Sequence, residues 1–432
     1  MPARIPNAGL TRRDLLKRTG GLAAIAAFAA ACGGNTGRPA DSGGGGGSKV
    51  NLTQWYHQYG ETGTKEAALK YAKAYTDSNV AVQWVPGDYG AKLASGLLSS
   101  SAPDVFESQL NIAMVKSNQV VPLDDILGDA KDDFNPNDLK TNTIDGKLYG
   151  IKMIDDPQVF YYRKSLFEKA GIKPPETVDD LIAAAKELTT DKVKGLFLGN
   201  FTGAGGVNIS VAGPSLWSSG GAYLTEDNKP GFNNERAAQA FSKLRELNQS
   251  NSLLLGAPAD WADPGAFVQG LCAIQWTGLW AMPGIQKALG DDFGVFAYPK
   301  LDAQGKPALP SGGWSEFVSA KSANVDAAKA FVKALWVDNQ ESQEDWNLNY
   351  GFHIPPRKSL AAKATKLQTG VAAEVVKLNQ DYGVVDLPAW TPTMNTAFND
   401  MLTNVMRKGA DPAAEIAKAD KTVTTELSRL FG

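Results

Sequence analysis

The stretch DGKLYGIKMIDDPQVFYYRKSLFEKAGI, residues 145–172, decides how this chain is read. Its run 159–163, β-branched and aromatic, predicts a strand. The paired carboxylates Asp155 and Asp156 stand just before it, and the grouping of elements changes there. Upstream, the alternating segment 50–56 predicts a strand, and apolar spacings of three and four over 64–76 predict a helix. A strand over 80–85, a helix over 89–99 and a short strand over 103–106 after a proline turn complete that side. Downstream, helices are expected at 178–188, 235–248 and 325–336, and strands at 195–201, 270–277 and 295–298. The tail 396–430 reads as two helices parted near Gly409, and no repeat of fixed period is present. Strands alternating with helices imply an α/β protein of mostly parallel sheets with helices on both faces. Ligands of such sheets bind outside the carboxyl ends of the strands, which points to Trp55, Tyr56, His57, Asp88 and Glu107.

The amino terminus reads as a targeting segment. TRRDLLK at 11–17 precedes the apolar run 20–31, and small residues lead into Cys32. The run is far short of the roughly 20 residues that span a bilayer. Arg12 and Arg13 resemble a twin-arginine export signal over 1–31, and Cys32 resembles a lipidation site. Residues 32–48, with five consecutive glycines at 43–47, have too little apolar surface to fold and read as a flexible tether. The expected location is therefore extracytoplasmic, on the membrane surface through a lipid at Cys32.

The chain has 432 residues, 43% hydrophobic and 21% charged. Loss of the signal leaves roughly 400 residues, enough for two domains of ordinary size. Net charge is −3, although the signal segment itself is basic, so no basic face is available for a nucleic acid. Lipidation of Cys32 leaves Cys272 without a partner, and its apolar setting marks it as a buried thiol. His57 and His353 are the two histidines, and neither belongs to a zinc motif, so neither metal nor cofactor is expected.

Residues 145–172 resemble the lobe-crossing segment of family 1 extracellular solute-binding proteins of ABC importers, the maltose-binding-like group. Four further segments resemble that family in the same order: PPETVDDLIAAAKELT at 174–189, FVQGLCAIQWTGLW at 267–280, FGVFAYPK with GGW and an Ala-rich helix within 293–336, and YGFHIPPRKS at 350–359. Arg163, Val178 and Leu271 stand where the family usually has Asn, Trp and Lys. The resemblance implies two α/β lobes joined by three crossings, near 151–156, 311–315 and 338–346, with a ligand cleft between them. The first lobe is expected over 49–154 and 315–340, the second over 155–314 and 341–432. The partners it implies are a carbohydrate and the membrane permease subunits, with the receptor acting as a monomer.

Aromatic rings offer apolar area to the C–H face of a sugar, worth roughly 1 kcal/mol beyond burial. Trp55, Trp217, Trp261, Trp280, Trp314 and Trp390 fall in segments that read as loops or turns, and all of them but Trp261 are singled out for that contact. Trp314 follows Gly312-Gly313, and the family often stacks a sugar on the Trp of such a motif. Carboxylates accept bidentate hydrogen bonds from hydroxyls, which nominates Asp104, Glu107, Asp155 and Asp156; His57 and Asp88 join them at strand ends. Trp84 and Trp336 read as core, and His353 as structural. Two other readings remain open at this level: a receptor for a polyamine, peptide or glycerophosphodiester, and an exported glycan hydrolase or lyase. The latter would need two carboxylates flanking the bond. The glycine-rich 199–206 reads as a loop and not as a phosphate cradle.

Overall fold

A nine-stranded mixed sheet runs through the middle of the protein, in a computed structural model that describes residues 49–199, 209–385 and 387–432. The expected export signal with Arg12 and Arg13, the tether with Cys32, and most of the glycine-rich 199–206 lie outside the described residues. The sheet path is Ser78–Val85, Val50–His57, Val105–Ser108, Leu309–Val318, Gly150–Tyr162, Cys272–Gly278 and Lys194–Phe197. Pairing is parallel among the first three and between the last two. It is antiparallel through the middle, where the chain passes between lobes. Gly294–Phe296 and Gly383–Val384 join as side branches.

Each parallel portion carries its own lobe, and helices cover it because their apolar stripes face the sheet. Thr64–Ala74 buries Ala67, Ala68, Tyr71 and Ala72. The helix Val178–Glu187 starts at a capping box, Thr177 with Asp180, and buries Val178, Leu181, Ile182 and Ala185. The tail forms two helices, Pro392–Arg407 and Pro412–Phe431, with Thr391 and Asp411 as N-caps and proline in both first turns. The first lobe's core holds Leu52, Tyr56, Val105, Ile151, Trp336 and Trp346. The second lobe's core holds Val159, Tyr161, Phe197, Cys272 and Phe293. A third cluster bridges them, from Phe106, Leu110 and Phe317 to Phe160, Trp276 and Phe398.

The first crossing is one continuous strand of 13 residues, Gly150–Tyr162, so the strand expected at 159–163 is its second half. Residues 150–157 pair with Leu309–Val318, and 158–162 with Cys272–Gly278. Register slips between Trp314 and Ser315, which oppose Ile154 and Lys152, leaving Met153 as the extra residue of a bulge. The Met153 carbonyl accepts the Nδ2–H of fully buried Asn347 at 3.0 Å. The third crossing comes later than expected. Trp346 is fully buried against Tyr56, Tyr59 and Trp336 of the first lobe, beyond the expected 338–346 passage. Ile354 then exchanges two 3.0 Å backbone hydrogen bonds with Asp155, so residues 351–356 make the passage. A π-helical turn, Trp346–Tyr350, carries the chain there while keeping the Trp346 ring in the first lobe's core.

Candidate functional site

A cavity of about 640 Å³ lies between the lobes, with both contributing to its wall. The first lobe supplies Gln109, Asn111, Thr141, Asn142 and Lys152. The second supplies Gln158, Trp217, Tyr223, Trp261, Trp390 and Asn395, and the crossing strand adds Ser311, Gly312, Gly313 and Ser315. The lobes also touch beyond the crossings. Ile112 N–H donates to the Pro388 carbonyl at 2.6 Å, and Lys140 Nζ lies 3.7 Å from Glu226 Oε1.

Of the tryptophans nominated above, Trp217 and Trp390 line the cavity. Trp217 sits on the helix Ile209–Ser218, edge-on to Tyr223 at 5.8 Å between centroids. Trp390 stacks on Tyr223 at 4.9 Å and 29°. These three rings form one aromatic wall. Trp261 forms a second plate from the loop before Gly265–Val268, and two supports hold that loop. Gln275 Nε2–H donates to the Trp261 and Asp263 carbonyls at 3.2 and 2.8 Å, and Trp280 Nε1–H donates to Ala262 at 2.8 Å. The Trp280 ring meets Trp261 edge-on at 5.7 Å, so Trp280 stands behind the cavity and not in its wall. Its ring folds back over Gly278, where a Cβ would come within 1.9 Å of it.

The other expected residues are engaged by the protein itself. Trp55 is buried over Gly96, with Lys92 Nζ 5.3 Å from its ring centroid. Asp88 is exposed and caps the helix Tyr89–Leu98, accepting from Ala91 N–H at 3.0 Å. Asp104 is buried and accepts from Thr53 N–H at 2.8 Å, Thr53 Oγ1 at 3.0 Å and Ser322 Oγ at 2.5 Å. Glu107, fully buried, accepts from His57 N–H and Tyr59 O–H and meets His57 Nδ1 at 2.5 Å. Trp314 stacks on His57 at 4.3 Å and meets Tyr89 edge-on at 6.0 Å. Its chain neighbours Gly313 and Ser315 line the cavity, while its own ring packs against both core clusters. None of Trp55, His57, Asp88, Asp104, Glu107, Asp155, Asp156, Trp280 or Trp314 lines the cavity.

Asp155 and Asp156 are adjacent and serve different partners. Asp156 pairs with His353 Nδ1 at 2.5 Å. Asp155 faces Lys152, 3.2 Å away, and Asp138 lies 3.5 Å from the same ammonium. Burial pushes the Asp155 carboxyl well above the carboxylate range, Asp138 adds to this, and Lys152 opposes it. Burial alone would lower the Lys152 ammonium, but the two carboxylates outweigh it and hold the pKa above that of free lysine. One buried cation thus serves two buried acids.

Sequence reasoning missed the amides Gln109, Asn111, Asn142, Gln158 and Asn395, together with Tyr223 and Lys152. Two signals were available. Gln109 and Asn111 follow directly on the strand Val105–Ser108, at the carboxyl-end position where α/β sheets bind ligands. Lys152 is a lone cation in an apolar strand, a position that demands a buried partner. Among the described residues no carboxylate lines the cavity, and none of their acidic, histidine or cysteine side chains cluster as a metal site. No described helix is long and apolar enough to cross a membrane.

Residues 49–336 match the family model described as bacterial extracellular solute-binding protein. The chain belongs to that family. Its location is accordingly extracytoplasmic. A putative binding protein of Brucella abortus is 34% identical over 329 residues, covering 72% of this chain and 76% of that one. The diacetylchitobiose binding protein DasA of Streptomyces coelicolor is 27% identical over 417 residues, 91% of this chain and 94% of its own. The crystal structure of a Thermotoga lettingae solute-binding protein bound with α-D-tagatose aligns at a TM-score of 0.75 and 23% identity, covering 88% of this chain and all of that one. That likeness shows the two-lobed fold.

Proposed function

We propose that this protein is the carbohydrate receptor of a bacterial ABC importer. It captures a mono- or oligosaccharide between its lobes and delivers it to the permease subunits. The single observation that carries this reading is the cavity wall: four aromatic rings, Trp217, Tyr223, Trp261 and Trp390, facing amides from both lobes. Rings cover the C–H faces of a pyranose while amides, each with donors and an acceptor, satisfy its hydroxyls. The names of its relatives, one for diacetylchitobiose and one solved with tagatose, support a sugar. The receptor acts as a monomer tethered through lipidated Cys32 after twin-arginine export, as its terminal sequence suggests.

Capture works by population shift. A ligand touching both lobes binds the closed form better than the open one, and a shift from mostly open to mostly closed takes about 5 kcal/mol of differential affinity. Several stacked rings and amide hydrogen bonds supply that order of energy. Binding without turnover is favoured because a glycosidase needs two carboxylates flanking the bond, and the described wall offers amides and a neutralised lysine instead.

The test is a melting scan of the purified protein against mono- and oligosaccharides, with polyamines, peptides and glycerophosphodiesters as controls. A ligand at a thousand times its Kd stabilises by about 4 kcal/mol, which raises Tm by several degrees. A rise with one sugar class and no product on long incubation supports the reading. A rise only with a control solute, or turnover, overturns it.

A further inference from the structure

Two residues of the cavity wall also hold the strand Leu309–Val318 where it crosses between lobes. Lys152 Nζ–H donates to the Gly312 carbonyl at 3.0 Å, and Gln109 Nε2–H donates to the Gly313 carbonyl at 3.2 Å. Both donors belong to the first lobe, and all four residues line the cavity. Gly312 and Gly313 oppose Asp156 and Asp155 on the first crossing, next to the bulge at Met153. Gly313 has φ of 115°, and a Cβ there would lie 2.0 Å from the Ile154 carbonyl, so only glycine fits. Gly312 has open space around it by comparison, its nearest neighbour to a Cβ lying at 3.6 Å.

The bulge makes the Lys152 contact possible. In a regular strand, residues three apart point to opposite faces. The extra residue Met153 shifts that alternation, so Lys152 and Asp155 come together at 3.2 Å. The Lys152 ammonium is thereby anchored to both crossing strands and, through Asp138, to the helix Pro136–Thr141 of the first lobe. The Asn347 side chain fixes the bulge from the third passage by holding Met153. Hinges absorb their rotation at a few element positions, and a double-glycine step whose carbonyls are gripped from one lobe is such a position.

We propose that Gln109 and Lys152 are the residues that couple occupation of the cavity to lobe closure, by holding the two successive carbonyls of a Gly312–Gly313 pivot. A ligand contacting either donor changes how firmly the pivot is gripped. Filling the cavity and setting the hinge angle are then one event. This coupling rests on the carbohydrate-capture reading for its ligand, but the pivot itself operates in the free protein.

The test uses the full chain with Cys32→Ser, carrying a fluorophore pair at Lys73→Cys on the first lobe and Ala183→Cys on the second. Both labelling positions are exposed, and the native thiol Cys272 is buried. Single-molecule distances are recorded with and without the sugar that gives the largest melting shift, alongside association and dissociation rates. In Gln109→Met and Lys152→Met, the ligand-free distance distribution is expected to move or broaden relative to wild type, with dissociation at least tenfold faster and association within about threefold. A residue that merely touched the ligand would change dissociation and leave the ligand-free distribution unchanged; that result in every variant that folds overturns the proposal. Gln109 is exposed, so its variant keeps the test valid if Lys152→Met does not fold. If no sugar binds wild type, the carbohydrate reading fails, and the ligand-free distributions still decide whether the pivot exists.

Discussion

His353 Nδ1 lies 2.5 Å from Asp156 Oδ1, joining the third passage between lobes to the first although the two residues are 197 apart in sequence. The other ring nitrogen, Nε2, lies 3.0 Å from Glu61 Oε1, and the His353 side chain is 2% exposed. Burial disfavours the imidazolium, but Asp156 and Glu61 outweigh it and raise the pKa to about 10.

This pair gives a pH dependence of defined sign. The folded pKa lies above the unfolded value of roughly 6.5, so the stabilisation is complete below that pH and lost as pH rises towards 10. Chemical unfolding of wild type is expected to show stability falling across that window. His353→Gln should flatten the fall and cost about 3 kcal/mol near neutral pH, because it strands buried Asp156 and half-buried Glu61. An unchanged alkaline slope in the variant would remove His353 as its source.

Glu316 predicts a dependence in a lower range. It is fully buried, accepts from Trp336 Nε1–H at 2.8 Å and Gln54 Nε2–H at 3.3 Å, and is pushed up to about 8 by burial and by Glu107. Its folded pKa exceeds the unfolded value, so the folded state holds the extra proton and stability declines as pH rises from about 4.5 to 8. Glu316→Gln is neutral throughout and keeps an acceptor for Trp336. Its urea midpoint should exceed that of wild type at pH 8, and the difference should shrink towards pH 5.

Gly313→Ala should be among the most damaging small changes in the chain. The added Cβ would meet the Ile154 carbonyl at 2.0 Å, and alanine does not readily adopt φ of 115°. A loss of at least about 2 kcal/mol is expected. Calorimetry of the purified variant checks it, with Gly87→Ala, another positive-φ glycine but one with nothing near its Cβ, as the control that isolates the steric part.

Tryptophan substitutions separate wall from frame. Trp217→Ala and Trp390→Ala remove rings that line the cavity and should weaken sugar binding at least tenfold in titration calorimetry, since a stacked ring contributes about 1 kcal/mol beyond its buried area. Trp314→Ala removes a ring lodged between His57, Tyr89 and both cores, so its main effect should be about 3 kcal/mol of lost stability. A binding loss for Trp314→Ala as large as for Trp390→Ala, with Tm unchanged, would return Trp314 to the binding wall.

The site was only partly legible in the sequence. Trp217 and Trp390 line the cavity, but the loop reading that nominated them also nominated Trp55, Trp280 and Trp314, and Trp217 itself sits on the helix Ile209–Ser218. The carboxylates were not legible, because residue type fixes only what a side chain can bond, not which partner reaches it first. Asp104 meets Thr53 and Ser322, Glu107 meets His57 and Tyr59, and Asp156 meets His353, leaving amides to face the cavity. Trp280 and Trp261 show the same uncertainty by one step: the turn GLW was legible, but the ring behind and the ring in front exchange roles once Gly278 lets Trp280 fold back.

The sequence by itself determined the alternation of strands and helices and, through its motifs, the family. The alternation follows from short-range periodicity, capping residues and turn chemistry, which act within a few residues of one another, and the family from short motifs whose resemblance is read segment by segment. Tertiary structure alone decided the third passage, the bulge at Met153 and the identity of the cavity wall. Each depends on pairs distant in the chain, such as Met153 with Asn347 and Lys152 with Gly312, whose meeting is set by strand register and packing rather than local propensity.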